Sequence, residues 1–157
     1  MDWLMIVLRL IHVGGGAMWV GMMAFMTFYL TPALAEAGPQ ESGKVMAALQ
    51  KQRIMIVMPV IALLTIGSGL WMMMRLYGGP GNIAASRMGM ALNLGAMAAI
   101  LAFLIGIIFM RPLMMRAMTA TDPAEAQKLR ARGAMLSRLV ARLLMFALAA
   151  MAVARYL

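Results

Sequence analysis

Long apolar stretches, separated by short polar ones, run the length of the chain. Four of them, 3–29, 54–76, 88–110 and 139–157, have the roughly 20 apolar residues that a bilayer-spanning helix needs. The first is predicted to end at Thr31-Pro32, with Gly38-Pro39 following. The second ends at the breaker cluster Tyr77-Gly78-Gly79-Pro80-Gly81, and the third at Arg111-Pro112. Two polar intervals, 44–53 and 123–132, are amphipathic and predict short helices along the membrane surface. Asp122 is placed to cap the second of these, with Pro123 at its first position.

These elements predict an all-α fold, an integral membrane four-helix bundle forming one domain. The start, MDWLMIVLRL, lacks a basic leader region and reads as a retained first helix rather than a signal peptide. A faint repeat suggests two tandem helical hairpins in the same orientation. Phe28-Tyr-Leu-Thr-Pro32 closes the first run and Phe109-Met-Arg-Pro112 the third, with Gln50-Lys51 and Gln127-Lys128 at similar later places.

Composition supports the membrane reading. The chain is 64% hydrophobic and 12% charged, where soluble domains carry about 45–50% and about 25%. Its mean hydropathy is +0.89. The net charge of +9 does not point to nucleic acid, because the basic residues gather at the ends of the apolar runs. Lys44, Lys51, Arg53, Arg111, Arg116, Lys128, Arg130, Arg132 and Arg138 lie on one side, against Arg9, Arg75, Arg87 and Arg155 on the other. The positive-inside rule then places both intervening segments in the cytoplasm and both termini outside. Without cysteine, the chain has no disulfide, thiolate metal site or covalently attached haem.

Few residues offer chemistry. No acidic residue falls within an apolar run, which argues against a proton pump or a carboxylate pair. Gly78-Gly79-Pro80-Gly81 lacks the flanking strand and the Lys-Ser/Thr of a phosphate loop. His12 is the single histidine. Arg9, His12, Gly16 and Trp19 fall close to one face of the first helix, with Gly15 beside them. An ionisable pair at this depth is costly in hydrocarbon and calls for a cavity or a partner. Gly14-Gly15-Gly16 leaves room either for a packed helix or for a flat ligand. Haem b suits the second option: His12 as the metal ligand, Gly15, Gly16 and Trp19 as the pocket wall, and Arg9 toward the propionates. The remaining axial position is open between vacancy, a methionine and a second His12 in a dimer. The 22 methionines admit a copper site as an alternative, since thioethers suit Cu(I). They are also ordinary flexible filler. Asn93 is the strongly polar residue of the third run, placed to bond His12 or to join helices.

Leu10-Ile-His12 followed by Trp19-Val-Gly21 resembles the first helix of a superfamily of small four-helix membrane proteins. That superfamily includes the copper-resistance protein D domain and the HemJ-type protoporphyrinogen oxidases. Leu64-Thr-Ile-Gly-Ser-Gly69-Leu-Trp71, Met110-Arg-Pro112-Leu-Met-Met-Arg116 and Met151-Ala-Val-Ala-Arg155-Tyr156 are similar to later stretches of it. The resemblance implies a four-helix bundle, often dimeric, in a bacterial inner membrane. It also implies haem b on a histidine matching His12 in one branch and copper uptake in the other. The HemJ-type enzymes require a lysine in their third helix; this chain has none there, Arg87 being the nearest basic residue. Three readings follow: a haem-b protein with an electron-transfer or redox role, a copper-handling protein, and a cofactor-free subunit of a larger membrane complex.

Overall fold

The structure, a computed structural model, describes residues 2–78, 80–83 and 86–157, and among these it is helical with no strand. The helices are α1 (Trp3–Ala37), α2 (Pro39–Lys51), α3 (Ile54–Tyr77), the short α4 (Pro80–Ile83), α5 (Arg87–Thr119) and α6 (Pro123–Tyr156). α1, α3, α5 and α6 are long and apolar enough to cross a membrane. In the most apolar window of each, at most 22% of residues are buried within the chain. Large apolar side chains such as Leu10, Val13, Leu63, Met97 and Leu101 face outward. Such a surface requires lipid, so the chain is a multi-pass membrane protein.

The prolines do not end helices where the sequence suggests. α1 continues past Pro32 to Ala37, and α5 past Pro112 to Thr119. A π-turn precedes each proline, at Met26–Leu30 and at Gly106–Met110. Proline lacks an N–H and clashes with the carbonyl four residues back, and the wider turn shifts the backbone out of that register. The Thr31 N–H accordingly reaches back to Met26 O, and the Arg111 N–H to Gly106 O.

The expected surface helix at 123–132 is not separate either. It forms the first turns of α6, which runs unbroken into the membrane. Asp122 caps it as expected, its side chain accepting from Ala124 N at 3.0 Å. Basic side chains at 128–138 lower hydropathy but do not terminate a helix, and Gly133 costs only about 1 kcal/mol. The corresponding segment of the first half does break. Gly38 (φ 90°) and Arg53 (φ 56°) isolate α2 from α1 and from α3. Of the breaker cluster after α3, Gly78 adopts φ 70°, and Gly79 lies outside the described residues.

The bundle is built from two hairpins. α1 packs most closely on α3 and α5 on α6, while α1–α6 and α3–α5 contacts close the ring. Glycine sets both intimate contacts. A Cβ on Gly15 would lie 2.6 Å from Thr65 Oγ1 in α3. A Cβ on Gly95 would lie 3.1 Å from Met151 Cγ and 3.2 Å from Ala147 O in α6. Gly15 and Gly95 are 80 residues apart, as are Pro32 and Pro112 and the two π-turns. The tandem repeat thus extends to backbone features as well as sequence. All four spanning helices meet at a buried layer of Trp19, Ala62, Ala102, Val140 and Leu144.

The spanning helices differ in reach. α3, with 24 residues, is about 36 Å long, while α1, α5 and α6, with 35, 33 and 34, are each about 50 Å. A hydrocarbon core is about 30 Å thick. The three long helices therefore project on one common side, the side bearing most of the basic residues.

The glycine contacts give a first prediction. Gly15→Ala should lower the thermal unfolding midpoint in detergent, by the equivalent of about 1–3 kcal/mol. Thr65→Ala in the same chain should restore most of the loss. Gly14→Ala, whose added Cβ would meet nothing within 4 Å, should leave the midpoint nearly unchanged.

Candidate functional site around His12

The candidate residues of α1 meet different neighbours. His12 is half-buried against α3, its Nδ1 2.7 Å from the carbonyl oxygen of Thr65. A carbonyl only accepts, so Nδ1 carries the proton and donates. Among the described residues Nε2 makes no hydrogen bond, and it is not sealed from the surface. The imidazole lies over Gly69, where a Cβ would come 2.6 Å from Cε1 and 2.8 Å from Nδ1. Ser68 crowds the same carbonyl: its hydroxyl lies 2.6 Å from Leu64 O and 3.0 Å from Thr65 O.

Gly15 and Gly16 face Thr65, with its Oγ1 and Cγ2 filling the space their side chains would take. The Thr65 hydroxyl in turn donates to Ile61 O at 2.8 Å. These glycines bring α3 close enough for its backbone to meet the His12 ring. Their contribution to His12 is therefore one of position. Trp19 lies two turns deeper than His12 and is 5% exposed, within the layer where the four helices meet. Arg9 is exposed, one turn outward from His12, and forms no ion pair among the described residues. The end of the α1–α3 hairpin nearest Trp3 is clasped instead by Asp2 and Arg75, 3.2 Å apart.

Sequence reasoning selected His12 and Arg9 but missed Thr65, Ser68 and Gly69. The stretch Thr65-Ile-Gly-Ser-Gly69 did carry a signal, since two glycines and two hydroxyls interrupt an otherwise apolar helix. A shallow groove of about 550 Å³, lined by Gly67, Leu70, Trp71 and Met74 with Arg75, opens on α3. At about 100° per residue, Gly67 and Trp71 point roughly opposite to Gly69, so the groove looks away from His12.

Among the described residues no three His, Cys, Asp or Glu side chains come together to hold a metal ion. In comparison with known proteins the chain matches no family model, no curated protein and no solved structure.

The single histidine makes the site readable by labelling. In protein carrying ¹⁵N-histidine, the Nδ1-protonated tautomer is the expected form. Gly69→Ala should displace the ring and change that pattern, whereas Gly67→Ala should not, since an added Cβ there meets nothing within 4 Å. A spectrum indifferent to Gly69→Ala would contradict the described packing.

Proposed function

We propose that the protein binds haem b in a bacterial inner membrane and carries electrons, with His12 as axial ligand through Nε2. The observation that carries this reading is the Nδ1–H bond to the Thr65 carbonyl. A ligand histidine characteristically gives its other ring N–H to a carbonyl or carboxylate, which fixes the tautomer and orients the lone pair. His12 has that arrangement, built on a backbone group that no single side-chain change can remove. Arg9, exposed one turn outward, is the propionate partner in this proposal. A lone histidine suits a ligand whose macrocycle already supplies four nitrogen donors. When bound, haem supplies a one-electron couple; the chain's own part is to hold and orient the imidazole.

Gly15, Gly16 and Trp19 enter the proposal differently from a pocket wall. Gly15 and Gly16 place α3, and Trp19 fixes α1 within the bundle. That same engagement favours a second reading, a cofactor-free subunit that packs beside a larger membrane complex. The space left by the central glycines is filled by protein, and broad apolar faces remain outward.

The proposed orientation has both termini outside and the projecting helix ends in the cytoplasm, as the basic residues suggest. A homodimer is part of the proposal, since a second His12 would complete a six-coordinate iron.

The absorption spectrum of protein purified in mild detergent, with haem supplied during expression, decides between these readings. The haem proposal expects a Soret band that His12→Ala abolishes while helicity is retained. A featureless visible spectrum, or a band that survives His12→Ala, would reject His12 ligation. Orientation is testable separately, because the chain has no cysteine of its own. A cysteine introduced at Ser42 should react only with a membrane-permeant thiol reagent in intact cells.

A further inference from the structure

A second polar site lies at the other end of the bundle. Where the π-turn of α1 meets α6, Thr27, Thr31, Glu36, Ser137 and Arg138 line a cleft of about 360 Å³ beside Pro32. Thr27 is buried, and its hydroxyl lies 2.5 Å from that of Ser137. One of these hydroxyls donates to the other, which leaves one hydroxyl hydrogen to donate elsewhere. The Thr31 hydroxyl and N–H both turn back to Met26 O, and Pro32 has no N–H. The carbonyl of Thr27 therefore lacks the donors a regular helix would give it. Glu36 and Arg138 carry opposite charges in the same cleft but form no salt bridge among the described residues.

The depth of the cleft is also informative. Thr27 lies about 36 Å along α1 from Trp3, and the Asp2–Arg75 pair marks the opposite boundary. With a hydrocarbon core of about 30 Å, the cleft sits at headgroup level. Met135 and Leu139 are exposed beside it on α6, so apolar surface for acyl chains adjoins the polar cleft.

The π-turn of the second hairpin acts as an internal comparison. There the positions of Thr27, Thr31 and Glu36 are taken by Ile107, Arg111 and Arg116. Backbone geometry, including the freed carbonyl, recurs in both halves, whereas the hydroxyls and the acidic charge occur in one. The polar lining of the α1 turn is thus not required to form a π-turn before proline.

We infer that this cleft binds the headgroup of an ethanolamine phospholipid. The primary ammonium is held by Glu36 and the Thr27 carbonyl, and the phosphodiester by Arg138 and the free hydroxyl of the Thr27–Ser137 pair. Two opposite charges that do not meet each other match a ligand that carries both. A choline headgroup offers no N–H to the two acceptors, and a glycerol headgroup no positive charge to Glu36. The inference rests on the fold alone and stands or falls apart from haem binding.

Native mass spectrometry tests it, using detergent-purified protein and an equimolar mixture of ethanolamine, choline and glycerol phospholipids with identical chains. The ethanolamine lipid should dominate the adducts. Glu36→Gln should reduce that adduct about fivefold, toward the choline level, and Arg138→Gln should weaken all three phospholipids. Arg130→Gln, also on α6 but outside the cleft, should change nothing. Glu36 and Arg138 are exposed, so the variants should keep wild-type circular dichroism, which is checked in parallel. Equal adducts of the three lipids, or an ethanolamine preference that survives both variants, would overturn the inference. Retention of soluble glycerophosphoethanolamine without any lipid adduct would assign the cleft to a free ligand and overturn the lipid assignment.

Discussion

Helices in a bilayer gain nothing by hiding apolar surface from one another, because lipid is as apolar as they are. Close van der Waals contact must hold them together instead. In this chain that contact is made at glycines. Gly15 lets Thr65 approach α1, and Gly95 lets Ala147 and Met151 approach α5. The packing within each hairpin follows from those approaches. The His12 ring meets the backbone of α3 only because Gly15, Gly16 and Gly69 leave room for it. The layer of Trp19, Ala62, Ala102, Val140 and Leu144 fills only because the hairpins are already close. Trp19 is large, and its opposite numbers on α3 and α5 are alanines, so the volume of one side chain is balanced by the smallness of its neighbours.

The two polar sites use different local devices. Around His12 the helices remain regular, and the polar group is satisfied by a carbonyl of the neighbouring helix. At the cleft the helix itself is altered, and the π-turn before Pro32 frees a carbonyl without ending the helix. Both devices leave a polar group in need of a partner from protein, water or a ligand. The His12 site supplies its own partner on one ring nitrogen and leaves the other open.

Much of the architecture was legible in the sequence. The four spanning helices, their order and the tandem relation of the halves all follow from hydropathy and from the matching stretches before Pro32 and Pro112. The errors lie at helix ends and share one cause. In sequence alone, proline and clusters of basic residues look like terminators. A π-turn can carry a helix past proline, and Arg130, Arg132 and Arg138 mark where a helix leaves lipid, not where it stops. The glycine run beside His12 was legible as a site of close approach. What approaches it was not, because register between helices is set by side chains far apart in sequence. Thr65 lies 53 residues from His12, and no local pattern links the two.

The 80-residue offset has a historical consequence. Each half is a hairpin that buries its own glycine contact and lies parallel to the other, so the simplest ancestor is a single hairpin that paired with a copy of itself. The first half has His12 and Thr27 where Leu92 and Ile107 stand at the same places in the second. The bundle is in this sense a repeated frame that carries His12 and Thr27 in one of its two halves.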